Sequence, residues 1–160
     1  MRSEEEVNRA IERYSDTVRR ICMIHLKNYA DTEDIFQTVF LKYVLSSTVF
    51  ENAEHEKAWF IRVTINACKD LLKNFFRSRT VPLDEALNLS APFNEEDHQV
   101  LEAVLSLPKK YRDVVYLHYY EGYTAPQIGS ITGKNLNTIY TLLARSRQML
   151  KEKLGGDDYE

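Results

Sequence analysis

Three long stretches in the first half of the chain carry neither glycine nor proline, and in each the apolar residues recur at steps of three and four. That spacing is one face of an α-helix. In the first stretch Val7, Ile11, Tyr14, Val18, Ile21 and His25 share the face. Asn28-Tyr29-Ala30 breaks it. A second helix is expected to start near Asp31 or Thr32, either of which can cap it, with Glu33 and Asp34 favourable in the first turn. Ile35, Phe36, Val39, Phe40 and Tyr43 form its stripe, Ser46-Ser47-Thr48 ends it, and residues 46–56 read as a loop. A third helix runs from Glu56 to Arg79 on Trp59, Phe60, Val63, Ala67, Leu71 and Phe75.

The pattern then lapses. Residues 80–97 hold Pro82, Pro92, two Asn and one Ser without helical period, the signature of a linker. Helical spacing resumes at Gln99 with Val100, Leu101, Val104 and Leu105, is broken at Leu107-Pro108, and returns from Tyr111 to Tyr120. No alternating strand pattern of useful length occurs. The expected fold is all-α: two small helical domains, 1–80 and 99–160, joined by an acidic linker, 81–98.

Charge follows the same division. The formal total is −3, weak evidence against a nucleic-acid partner if taken whole. Residues 1–80 carry 13 basic and 12 acidic side chains, residues 81–106 none basic and six acidic, and residues 107–160 eight basic and six acidic. The acidic excess therefore sits between two slightly basic domains. The longest stretch without a charged residue, Gly122 to Gly133, is far short of the roughly 18 residues a membrane span needs. Residues 2–6 read Arg-Ser-Glu-Glu-Glu, unlike a secretory leader. No membrane insertion and a cytoplasmic location are expected.

The sharpest local signal is residues 124–150. Thr124-Ala-Pro-Gln127 fits a capping box, with Pro126 in the first turn where its missing N–H costs nothing. A short helix follows to about Thr132, with Ile128 and Ile131 as its apolar pair. Gly129 invites close approach by a crossing helix, and Gly133 can take the left-handed conformation that ends a helix. Asn135 can cap a longer helix from Leu136 to Leu154. Short helix, tight glycine turn, longer helix is the grammar of a helix-turn-helix, and on pattern alone a non-binding hairpin fits as well. With Ile139, Leu143, Ser146 and Leu150 inward, the opposite side presents Asn137, Tyr140, Thr141, Ala144, Arg145 and Gln148. Arg suits guanine, Asn and Gln suit adenine, and Ala can touch a thymine methyl. Arg147, Lys151 and Lys153 are placed for phosphates.

Two separated stretches resemble one family. Asp-Thr-Glu-Asp-Ile-Phe-Gln-Thr-Val-Phe-Leu-Lys from Asp31, continuing through the tryptophan-bearing helix to residue 79, resembles region 2 of bacterial sigma factors. Leu-Pro-Lys-Lys-Tyr-Arg-Asp-Val-Val-Tyr-Leu from Leu107, continuing to residue 154, resembles region 4. Two regions joined by a linker is the layout of the extracytoplasmic-function group. The resemblance implies a protein without catalysis of its own that binds RNA polymerase core, through its β′ and β subunits, and promoter DNA. It also admits an anti-sigma factor as a partner. It implies polymerase binding by Asp31, Asp34 and Gln37, on a helix docked to the β′ clamp helices. The loop 46–56 and the helix after it would open the −10 element and capture an unpaired base, with Lys57, Arg62, Asn66, Lys69, Lys73, Arg77 and Arg79 as contacts. Trp59 sits in the apolar stripe and reads as core. Binding at −35 would fall to Asn135, Asn137, Thr138, Tyr140, Thr141, Arg145, Arg147 and Gln148. Family members often carry a basic residue where this chain has Tyr140, Leu142 or Ala144, so fewer counterions would be released here. The competing reading is a helix-turn-helix regulator that acts without polymerase.

No cofactor is expected. Cys22-Met-Ile-His25 has a chelating spacing, but a structural zinc takes four ligands, and Cys68, His55, His98 and His118 are scattered. Both read better as core-facing helical residues. No G-x-S-x-G, P-loop or H-E-x-x-H pattern occurs. The tyrosines at 111, 116, 119, 120 and 123 read as packing around the helix-turn-helix.

Overall fold

The computed structural model describes residues 1–26, 28–74 and 95–154. The elements among them are helical: α1 (Glu4–Leu26), α2 (Tyr29–Leu45), α3 (Ala53–Asn74), α4 (Glu95–Leu105), α5 (Lys109–Val115), α6 (Ala125–Thr132) and α7 (Leu136–Leu154). A π-helical turn, Tyr116–Tyr120, continues α5. The chain divides into two compact units, Met1–Asn94 and Glu95–Glu160.

In the first unit α1, α2 and α3 pack pairwise. Their core joins Ala10, Tyr14, Val18, Cys22 and Leu26 of α1 to Ile35, Val39, Phe40 and Tyr43 of α2 and to Phe60, Ala67 and Cys68 of α3. Phe60 is its centre, with ring centroids 4.7 Å from Tyr14, 4.9 Å from Tyr43, 5.0 Å from Trp59 and 5.1 Å from Phe40. Aromatic pairs at such distances add to simple burial. Trp59 is half-buried in this cluster, on the apolar stripe where its spacing puts it. Cys22 lies with its sulfur 3.9 Å from that of Cys68; both are buried and no disulfide joins them. His25 is half-buried.

Several boundaries differ from expectation. Ile11 is 37% exposed and Ala10 is buried, because the face turned to the neighbouring helices, not the larger side chain, decides burial. The second helix starts at Tyr29, not Asp31 or Thr32: Asn28 is its cap, and its side chain accepts from the Asp31 N–H at 3.0 Å. The loop after it closes at residue 52, not 56. Asn52 accepts from the His55 N–H at 2.9 Å, opening α3 a turn early. The end of the third helix, 75–79, lies outside the described residues, as does most of the linker. From Glu95, however, the chain is helical, four residues before Gln99.

In the second unit α4 packs on α5, and α5 and α6 pack on α7. Arg112 is buried and donates to the Leu107 carbonyl at 3.0 Å and the Leu105 carbonyl at 3.1 Å. It thereby satisfies carbonyls at the end of α4, and burial lowers its pKa. The helix expected from Tyr111 starts at Lys109 behind Pro108, and its last turn widens to π geometry. Gly122, at φ +81°, then turns the chain toward α6.

Candidate nucleic-acid interface

The helix-turn-helix is built as its residues dictate. The Thr124 side chain accepts from the Gln127 N–H, and the Gln127 side chain accepts from the Thr124 N–H, completing a capping box. Gly133 ends α6 at φ +77°. Gly129 serves a different neighbour from the one expected. A Cβ there would meet the Lys134 carbonyl at 3.2 Å, so the small residue makes room for the turn rather than for a crossing helix. Asn135 caps α7, its side chain accepting from the Asn137 N–H at 2.8 Å.

On α7 the inward row is Ile139, Leu142, Leu143 and Ser146, all buried. Leu150 is half-buried. Asn137, Thr138, Tyr140, Thr141, Ala144, Arg145, Arg147 and Gln148 are exposed, and so is Asn135 at the cap. Leu142 thus belongs to the core: a cation at that position would face inward, so only Tyr140 and Ala144 alter the charge of the outer face. Tyr140 is 53% exposed. Gln148 donates to Glu152 at 3.3 Å. Arg147 donates to the Tyr119 hydroxyl at 3.4 Å, which raises its pKa. Tyr119 is exposed while Tyr111, Tyr116 and Tyr123 are buried, so the tyrosine cluster is not uniformly packing.

On α3, Arg62, Asn66, Lys69 and Lys73 are exposed at steps of four, three and four, one stripe along the helix. Lys57 does not join them. Five residues before Arg62, it turns about 140° away, and it is half-buried. Arg77 and Arg79 lie outside the described residues. The loop 46–52 precedes this stripe. Its residues 46–50, together with Met1, Arg2, Glu6 and Glu56, border an open cavity of about 450 Å3. Phe50 anchors the loop against Tyr43 and Trp59, at centroid distances of 6.4 and 5.9 Å.

Glu56 is a residue the sequence reading did not single out. Tyr14 of α1 donates to one of its oxygens and Tyr43 of α2 to the other, each at 2.9 Å. One carboxylate on α3 therefore ties all three helices. Burial, then the hydrogen bond and charge of Glu56, push both tyrosine pKa values up to about 12. The available signal was a Glu in the first turn of a helix, which alone says nothing of partners.

On α2, Asp34 and Gln37 are exposed and Asp31 is half-buried in the first turn. Arg19 of α1 grips Glu33 through two nitrogens, at 3.1 and 3.2 Å, and lies 4.0 Å over the Phe36 ring. Leu41 and Leu45 were also missed. They are 58% and 65% exposed, and steps of seven and eleven from Asp34 keep them on its side of the helix.

Among the described residues no group of three His, Cys, Asp or Glu could hold a metal ion. No described helix is long and apolar enough to cross a membrane.

Comparison with known proteins adds a name to each unit. The Sigma-70 region 2 profile matches residues 10–79, and the Sigma-70 region 4 profile matches residues 97–150. The chain is 28% identical over 142 residues to RNA polymerase sigma factor SigV of Bacillus subtilis (strain 168), covering 87% of this chain and 85% of that one. It is 23% identical over 161 residues to the ECF RNA polymerase sigma factor SigW of the same organism, covering 90% and 86%. Among solved structures, its fold resembles that of the sigma factor RpoE bound to the anti-sigma factor NepR from Bartonella quintana. The TM-score is 0.72 at 18% identity, with 96% of this chain and 99% of that one covered. It likewise resembles CnrH in complex with the cytosolic domain of CnrY, with a TM-score of 0.68 at 19% identity and coverage of 98% and 92%.

Proposed function

The chain belongs to the extracytoplasmic-function group of bacterial RNA polymerase sigma factors, and we propose that it divides promoter recognition between its two helical units. It binds RNA polymerase core and directs promoter-specific initiation of transcription. The first unit takes core polymerase and the −10 element; the second takes −35. RNA synthesis itself stays with the polymerase, and the site of action is the cytoplasm. Following the neighbour held by NepR, an anti-sigma factor is a further partner.

The residue-level reading rests on one observation: on α3 and α7 the polar residues fall on an exposed face and the apolar ones are buried behind them. On α7, Arg145, Gln148, Asn137 and Thr141 read base edges in the major groove, Tyr140 and Ala144 meet thymine methyls, and Arg147 takes a phosphate. On α3, Arg62, Asn66, Lys69 and Lys73 follow the separated non-template strand. The loop 46–52 receives an unpaired base, whose extrusion costs a few kcal/mol. On α2, Asp34, Gln37, Leu41 and Leu45 meet the clamp helices of β′.

Run-off transcription with purified core polymerase tests this, using templates that include the region upstream of the chain's own gene. The wild-type chain is expected to give a discrete promoter-specific transcript, and Asp34→Lys to lose both the transcript and co-purification with core. A chain that binds promoter duplex but never co-purifies with core would instead be a regulator acting alone.

A further inference from the structure

Arg2 precedes α1 and borders the cavity beside the loop, and it grips the end of α2 and the loop at once. Its backbone N–H donates to the Val44 carbonyl at 3.1 Å. Nε donates to the Tyr43 carbonyl at 2.9 Å, and one Nη donates to the Thr48 carbonyl at 2.5 Å. The other Nη pairs with Glu6 at 3.3 Å. The guanidinium lies 4.3 Å over the Tyr43 ring and 5.2 Å from the Phe50 ring. Its side chain is only 11% exposed.

All three guanidinium nitrogens are thus committed to protein. A cation meant for a phosphate would keep its head in solvent; this one lies against two aromatic rings, Tyr43 and Phe50. Its three acceptors are the Tyr43 carbonyl near the α2 C-terminus, where intrahelical partners run out and the helix dipole favours positive charge, the Thr48 carbonyl on the loop and the Glu6 carboxylate on α1. Tyr43, under the guanidinium, also holds Glu56, so the contacts of Arg2 run from the loop to the start of α3.

We propose that Arg2 is a positioning residue for base capture: its planar fork pins the 46–50 backbone to the end of α2, so the cavity wall is formed before the strand arrives. The proposal rests on the loop being the receptor of the unpaired −10 base. A loop tied down in advance loses less freedom on binding, which raises affinity without any direct contact. Lysine cannot substitute, because one ammonium lacks the fork that reaches several fixed acceptors.

The test uses holoenzyme reconstituted from core polymerase and the full chain, as wild type, Arg2→Ala or Arg2→Lys. The probe is a short DNA strand selected from a randomised pool by the wild-type holoenzyme, together with copies made abasic at one position at a time. Wild type is expected to bind the intact strand about tenfold tighter than the strand abasic at the captured position. In both variants this ratio falls below about twofold. Core binding, affinity for the abasic strand and the salt slope all stay at wild-type values. Full retention of the ratio in Arg2→Lys overturns the proposal. So does a salt slope shallower by about 0.7 in Arg2→Ala, which would make Arg2 a phosphate contact. Loss of core binding by Arg2→Lys overturns it in favour of a general structural role. If the wild type itself shows no position where base removal matters, strand capture fails and the role of Arg2 falls with it.

Discussion

The two helices assigned to DNA present opposite chemistries. The α3 stripe is Arg62, Asn66, Lys69 and Lys73, three cations in four residues. The α7 face is Asn137, Tyr140, Thr141, Ala144, Arg145, Arg147 and Gln148, with two cations in seven. Single strands expose their backbone and offer bases in no fixed orientation, so charge along a groove is the useful attraction. A duplex offers an ordered pattern of donors, acceptors and methyls in the major groove, which a nearly neutral face can read. The supports differ too. The α3 helix sits on an aromatic core tied by Glu56, whereas the inward row of α7 is Ile139, Leu142, Leu143 and Ser146.

The most severe way to break the contrast is to remove the support of the first face. Phe60→Ala deletes the ring at the centre of four aromatic contacts, with an expected loss of about 3–5 kcal/mol of stability in urea unfolding. A loss below about 1 kcal/mol would mean that the α3 face does not depend on this core.

The Glu56 tie predicts a pH dependence of the same core. Tyr14 and Tyr43 hold their protons up to about 12 in the folded chain, above the ordinary value of 10.0. The folded state therefore binds more protons than the unfolded state between those values. The stabilisation is complete below pH 10 and is lost as pH rises through 12, by on the order of 1–2 kcal/mol per tyrosine. Urea midpoints taken from about pH 9 upward should fall in wild type and stay flatter in Glu56→Gln, where the charge is gone.

On the second face, Arg145→Ala should cost about 1–3 kcal/mol for holoenzyme on its best duplex and relax the choice at one base pair only. Uniform weakening on all sequences would make Arg145 a phosphate contact and erase the contrast. The smallest effect is expected for Lys73→Ala. Strand binding should weaken a few-fold regardless of sequence, with the salt slope shallower by about 0.7. Measuring affinity at several salt concentrations separates this from any change in base preference.

Much of this was legible in the chain. The period of three and four, unbroken by glycine or proline, predicts α1 to α3, and the capping box with Gly133 predicts α6 and the turn into α7. The phase of α7 follows from Ile139 alone, because one inward residue fixes every other position on a rigid helix. What escaped was set by contacts distant in sequence. Tyr14, Tyr43 and Glu56 meet through tertiary packing that no local pattern encodes, and the same holds for Arg2 with Thr48. Ile11 was placed inside because one residue of phase is hard to read where small Ala10 faces the neighbours. Lys57 was grouped with the α3 cations by charge, though helical geometry turns it away. The exposed Leu41 and Leu45 fall outside the apolar stripe of their helix, and no polar or charged pattern marks such residues as a surface.

The central claim is the division of labour between the two faces. Its most direct test is combined footprinting of wild-type holoenzyme on a promoter that it transcribes. Hydroxyl radical reads duplex protection, and permanganate reads unpaired thymines. A melted −10 region and a protected duplex about two helical turns upstream are expected. A doubly substituted chain, Lys69→Ala with Lys73→Ala, should lose permanganate reactivity while keeping the upstream protection. Arg145→Ala should weaken the upstream protection, while −10 melting persists on the templates that are still bound. Equal loss of both signals in both variants would contradict the account.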